Sequence, residues 1–253
     1  MIKEELKVKI VILCHLVQVA KDLSLSLKGL SKGDSDRFKV IPCTSTIQLL
    51  KIASEQKDID LIIADESLVN DSFDSWVKRT LSALRMNQEA VNLPPLMLML
   101  EVEKNPKYIR EALGAGFSEV GVKPYDMSLM LEKINRLLPD KQILRENQVY
   151  AMPCMEDVNV AETMLLESCS ESEAVLLTNR DFSVGEITSF YSCPFLETEK
   201  EIVAVCTGSL LIDHPKFPYR VTFRLQGLTP ELTTRIRKWI KSSSLNKNIP
   251  FKA

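Results

Sequence analysis

Asp60-Leu61-Ile62-Ile63-Ala64-Asp65 is the stretch that decides the fold. Residues 61–64 form a short aliphatic run of the kind that predicts a strand covered on both faces, as in a parallel sheet. Asp65 falls just past its end. Working outward, similar runs recur at residues 8–14, 38–42, 96–100 and 119–122. The stretches between them carry helical spacing, as in Ile47, Leu50 and Ala53, or Ile109, Ala112 and Leu113. With a last helix over residues 128–138, five strands alternating with five helices predict a doubly wound, five-stranded parallel sheet. In such folds sites lie at the carboxyl ends of the strands.

Around Leu138-Pro139-Asp140 the helical pattern stops, which predicts domains over residues 1–139 and 140–253. Strand-like runs then follow at 148–152, 162–169, 174–178, 186–191, 202–212 and 219–225, each bounded by turn-forming residues. Successive short strands favour a small antiparallel barrel or sandwich. Thr229-Pro230-Glu231 predicts a helix start, with Thr229 as N-cap and Pro230 as the first helical residue. Leu232, Ile236, Trp239 and Ile240 give that helix an apolar stripe, leaving Arg235, Arg237, Lys238 and Lys241 solvated.

Composition narrows the function classes. The 253 residues are 45% hydrophobic and 26% charged, which fits a water-soluble chain with a core. A formal net charge of -2 provides no overall positive field for nucleic acid or an acidic membrane. The six cysteines include no C-x-x-C pair and the chain has only two histidines, so no structural metal is expected. The apolar run near the N-terminus is far shorter than the roughly 20 residues of a membrane span, and it lacks a cleavage site. Cytoplasmic residence, free thiols and no membrane insertion are the expectation. No G-x-S-x-G elbow, P-loop, G-x-G-x-x-G or metal-binding histidine pair points to an enzyme.

At the strand ends the sequence resembles the receiver domain of bacterial response regulators over roughly residues 6–138. Asp60 to Asp65 resembles the third strand and its phosphoacceptor aspartate, and Gly114-Ala115-Gly116 leading to Val122-Lys123-Pro124-Tyr125 resembles the fifth strand with its lysine and proline. The resemblance implies an acidic pair after the first strand to hold Mg2+, because a hard cation needs carboxylate oxygens. Cys14 and His15 stand there instead. Leu100 occupies the place of the hydroxyl residue that ends the fourth strand, and Val120 that of the aromatic switch residue. Asp65 and Lys123 are therefore read as a vestigial pair in a pseudo-receiver; the alternative is a working phosphoacceptor and its lysine.

The second half resembles the PilZ domain, a six-stranded barrel that in many members binds cyclic di-GMP. The signal lies in residues 219–230, a last strand running into the terminal helix, and in Ser183-Val184-Gly185-Glu186. The family's R-x-x-x-R segment is matched only by Lys141-Gln142-Ile143-Leu144-Arg145, and lysine cannot stack on guanine as arginine does. Its D-x-S-x-x-G segment aligns with residues 168–173, where only Ser170 matches and Glu171 and Glu173 add negative charge.

The resemblances together imply a bacterial signal-transduction protein, an atypical response regulator acting through protein partners or a second copy of itself, with no cofactor. The alternative is a functional two-component regulator phosphorylated on Asp65 with Mg2+. In that reading the dinucleotide is bound through Lys141, Arg145 and Ser170. The family's output face falls on residues 104–113, the fifth strand and residues 127–138. There Tyr108, Met127 and Met130 are expected to supply adaptable apolar contact beside Arg110, Lys133 and Arg136, with Leu131, Ile134 and Leu138 given to the core.

Overall fold

The computed structural model describes residues 8–15, 21–22, 24–25, 38–56, 58–69, 72–86, 93–101, 106–124, 126–141, 152–160, 162–190 and 201–245. Contacts divide the chain into two compact units. One comprises Met1–Glu103 with Glu111–Asn147; the other comprises Lys104–Arg110 with Gln148–Ala253.

The first unit is built on strands β1 (Val8–Leu13), β2 (Phe38–Cys43), β3 (Leu61–Asp65), β4 (Leu96–Leu100) and β5 (Glu119–Val122). They pair in the order β2-β1-β3-β4-β5, all parallel. This is the expected doubly wound arrangement, with its 2-1-3-4-5 order. Every residue of β3 and β4 is buried, which explains why their sequences read as continuous apolar runs rather than as alternations. The described helices are α1 (Thr46–Glu55), α2 (Phe73–Arg85), α3 (Pro106–Ala115) and α4 (Met127–Leu137). Ser45 caps α1 by accepting from the Gln48 amide, and Ser72 caps α2 from Ser75. Trp76 of α2, wholly buried, stacks on Phe117 with ring centroids 5.5 Å apart. α4 presents Met130, Leu131 and Ile134 to the sheet face formed by Val8, Ile10 and Ile12.

The second unit is a six-stranded antiparallel sheet of β6 (Met152–Val160), β7 (Glu162–Cys169), β8 (Glu173–Thr178), β9 (Ile187–Phe190), β10 (Ile202–Leu211) and β11 (Tyr219–Gln226), followed by α5 (Pro230–Leu245). Its order is β6-β7-β8-β11-β10-β9. The six strands and the helix match the sequence reading, but the barrel is not closed. β6 and β9 come near each other without a hydrogen-bonded ladder among the described residues. The first strand is also displaced: residues 148–150 lie outside the described residues, and β6 runs to Val160. Pro153, Asp157 and Asn159 hide it in the sequence. They are tolerated because β6 is a terminal strand, with a register shift between Pro153 and Glu156.

Phe223 anchors this unit's core, edge-on to both Phe182 (5.0 Å) and Phe190 (5.1 Å). Gly227, at φ +64, makes the left-handed turn out of β11, where a Cβ would collide with Ile109. Thr229 caps α5 as expected, accepting from the Leu232 amide at 3.2 Å. Ile236 is fully buried, with Leu232, Trp239 and Ile240 packed around it.

Candidate functional site

The parallel register sets the candidate site. Leu13 lies beside Ala64 and Asp65 beside Met99, so Cys14, Asp65 and Leu100 all stand at the carboxyl edge of the sheet. Lys123 follows the last residue of β5, and its amide donates to the Leu100 carbonyl at 2.9 Å. Its ammonium donates to Asp65 Oδ2 and lies 3.7 Å from Glu101 Oε1. Asp65 is 5% exposed. Its Oδ1 accepts from the Ser67 hydroxyl at 3.0 Å and the Ser67 amide at 3.3 Å, capping the 3-10 turn Glu66–Leu68. Glu66 Oε2 accepts from the Glu101 amide at 3.3 Å.

Thus Asp65 and Lys123, paired from sequence, are brought together. Glu101 and Ser67 complete the group. Glu101 directly follows Leu100 in the sequence, and Ser67 lies two residues after Asp65. An Asp-x-Ser sequence is the recognisable signal of such a side-chain-capped turn. On the β1 side, Cys14 is buried and its amide donates to the Cys43 carbonyl at 3.0 Å, while His15 is exposed. Burial, reinforced by the neighbouring Cys14, pushes the Cys43 thiol up to about 12. It is a core group and not a nucleophile. Val120 is fully buried. No cluster of three or more metal-ligating side chains occurs among the described residues. Glu101 stands on the β4 side of Lys123, and the position after β1 offers a thiol and an imidazole, so the donor set is poor for a hard divalent cation.

The residues read as cyclic di-GMP contacts belong to different units or lie outside the described residues. Lys141 ends the turn Pro139–Lys141 in the first unit, where its ammonium lies 3.0 Å from Asp60 Oδ1. Arg145 lies outside the described residues. Ser170, in the second unit, is buried in the β7–β8 turn, its hydroxyl accepting from the Glu173 amide at 3.0 Å and the Ser172 amide at 3.3 Å. Glu171 is not a free carboxylate, as the sequence reading had it. Both its oxygens accept from Arg237 of α5, one at 2.7 Å from Nη2. Arg237 is correspondingly half-buried rather than solvated, whereas Lys238 and Lys241 are exposed.

The expected interaction face needs correction at two positions. Met130 is 3% exposed and belongs to the core with Leu131, Ile134 and Leu138. Lys133, read as a surface charge, is 4% exposed and paired with the wholly buried Glu119 at the start of β5. Arg136 pairs with Glu132 one turn earlier. Tyr108 is half-buried, and the Met127 side chain lies outside the described residues. Arg110, grouped with the second unit, donates to Ser189 Oγ at 2.5 Å and pairs with Glu201.

No family model matches the sequence, and no curated protein matches it. Solved structures are similar to parts of the chain. The receiver domain of Francisella response regulator 1452 is 14% identical over 53% of this chain and 98% of its own, with a TM-score of 0.41. A putative response regulator from Chloroflexus aurantiacus is 17% identical over 53% and 98%, also with a TM-score of 0.41. The Bacillus subtilis inhibitor of motility MotI/DgrA is 15% identical over 42% of this chain and 54% of its own, at 0.34. Strand order, not these low-scoring likenesses, carries the fold. Among the described residues no helix is long and apolar enough to cross a membrane.

Proposed function

We propose that this chain is a bacterial signal-transduction protein of the response-regulator type, non-enzymatic and cytoplasmic, that acts through protein–protein contacts. In this reading its pseudo-receiver has lost phosphorylation and its PilZ-like unit has lost cyclic di-GMP binding. The observation that carries the reading is the state of Asp65. Its carboxylate is buried, held by Lys123 on one oxygen and by Ser67 on the other, and the residue that follows β1 on the neighbouring strand is Cys14, where a phosphoacceptor needs a metal-bound carboxylate. Phosphoryl transfer depends on neutralising charge at the transferring group. A lone lysine already shared with Glu101 is a weak substitute for a divalent cation.

The residues read as dinucleotide contacts support the same direction. Lys141, read as a substitute for the first clamp arginine, is already paired with Asp60 at 3.0 Å, and the Ser170 hydroxyl is engaged by the Ser172 and Glu173 amides of its own turn. Neither Mg2+ nor cyclic di-GMP is then a cofactor, and the surfaces carry the signal to a partner protein. Titration calorimetry of the whole chain at micromolar concentration tests this: cyclic di-GMP is expected to give no saturable heat. A dissociation constant in the low micromolar range, weakened by Arg145→Ala, would instead establish the dinucleotide effector with Lys141, Arg145 and Ser170 as its contacts.

A further inference from the structure

β10 is paired on one side along its whole length and on the other side along only half of it. β9 covers Ile202–Val205. The following turn extends that cover by one residue: Gly185 donates to the Cys206 carbonyl at 2.8 Å, and the Cys206 amide donates to Glu186 at 2.9 Å. A register shift between Cys206 and Gly208 then inserts Thr207 as a bulge. Beyond it, β10 pairs only with β11 among the described residues.

The alternation of an antiparallel ladder fixes which backbone groups this leaves open. The Ile212 amide donates to the Pro218 carbonyl at 2.8 Å, so Ile212 points its hydrogen-bonding groups at the β11 side. Leu210 opposite Arg220 and Gly208 opposite Thr222 share that phase. Leu211 and Ser209 have the opposite phase, and their amides and carbonyls point out of the sheet. Four backbone groups in a row therefore face outward. The side chains beside them are apolar and unusually exposed, Leu210 at 62% and Leu211 at 76%. An edge of this kind is a template for another strand, and proteins that keep it unpaired commonly guard it with lysine or proline. Residues 207–212, Thr-Gly-Ser-Leu-Leu-Ile, contain neither.

We propose that this edge pairs with the same edge of a second copy of the chain, antiparallel about a two-fold axis through Leu210. The segment is complementary to itself in that register. Ser209 of each copy meets Leu211 of the other as a hydrogen-bonded pair, which uses all four open groups on each side. Leu210 meets its symmetry mate at the non-hydrogen-bonded position, where side chains approach most closely. No ionisable side chain within residues 207–212 meets a like charge, whereas a foreign strand has no such guarantee. Asp181 accepts from Ser209 Oγ at 2.7 Å, and Asp213 follows the paired run in the sequence. An isologous contact of this kind closes after two copies and does not propagate. A contact confined to residues 207–212 of each copy is far smaller than the roughly 20–30 residues a side of a standard stable interface, so the dimer is weak and concentration-dependent.

The test is sedimentation velocity on the full chain from low micromolar to several hundred micromolar, with amide hydrogen exchange at both ends of the range. The expected result is a reversible shift towards dimer. The Ser209 and Leu211 amides should be fast in dilute protein and slow in concentrated protein, and the Leu210 amide slow in both. Leu210→Lys sets two like charges at the axis and should weaken the dimer roughly tenfold or more. Ile47→Lys, at an 82% exposed apolar residue of the other unit, should leave it unchanged. A chain that stays monomeric throughout, a dimer whose Ser209 and Leu211 amides exchange as in the monomer, or a Leu210→Lys protein that dimerises like the wild type would each overturn the proposal.

Discussion

Two lysine–carboxylate pairs bracket the same strand and do different things. Glu119 begins β5 and is held by Lys133 of α4, with side chains 0% and 5% exposed. Lys123 follows the end of β5 and holds Asp65, at 23% and 6%. The first pair lies wholly inside, where desolvation makes each charge dependent on the other. The second sits at the sheet edge, where Lys123 also reaches Glu101 and water. Chemically alike, one pair ties a helix to the sheet, and the other joins the carboxyl ends of two strands. The difference lies in which end of the strand they occupy and how far water is excluded.

The most severe way to break that comparison is to orphan the buried charge. Lys133→Ala should cost about 3–5 kcal/mol in urea unfolding, because the wholly buried Glu119 loses its ammonium partner. Replacing both members, Lys133→Met with Glu119→Leu, should recover most of that loss. A small effect of the single change would mean that water reaches Glu119 after all.

The next effect appears with pH. Cys43 keeps its proton in the folded chain to about 12, against an ordinary value of 9.0. Above 9 the unfolded chain releases a proton that the folded chain retains, so this group's contribution to stability falls as pH rises from about 9 towards 12. The slope is at most about 1.4 kcal/mol per pH unit. The wild type should therefore lose stability over that window faster than Cys43→Val does, as read from paired denaturant titrations. Parallel curves would contradict the burial of the thiol.

Asp65→Asn should be milder, costing about 1–2 kcal/mol, since the amide can still accept from Ser67 and Lys123 can turn to Glu101. In cells the variant should retain function; loss of function in a protein with a native melting profile would show that the charge itself is read. The smallest change is expected at Arg237→Ala. Its fork to Glu171 is partly exposed, at 36% and 28%, and should contribute about 1 kcal/mol or less. A larger loss would make the α5 clamp on the β7–β8 turn a principal support of the second unit.

The parallel sheet was legible because β3 and β4 are buried on both faces and so read as unbroken apolar runs. Thr229-Pro230 likewise announced α5 through its capping chemistry. β6 was illegible for the converse reason: a terminal strand tolerates Pro153 and polar residues that would disqualify a central one. Barrel closure depends on whether β6 and β9 form a ladder, a long-range property with no local signal. At the candidate site the sequence identified Asp65 and Lys123 from their places at strand ends. It could not reveal that Glu171 is neutralised by Arg237, 66 residues away. Nor could helical spacing alone settle Met130 and Lys133, because the buried stripe of α4 is wider than the three residues assigned to it. Lys133 enters that stripe only because Glu119 waits at the start of β5.

Whether Asp65 takes up a phosphoryl group is read by incubating the purified chain with acetyl phosphate and excess Mg2+, followed by intact-mass and peptide analysis. No phosphoryl group is expected on Asp65, because Cys14 and His15 follow β1 where the resemblance to receivers calls for metal-binding carboxylates. A stable mass increase of one phosphoryl group that disappears in Asp65→Asn would contradict it and make this chain a working response regulator.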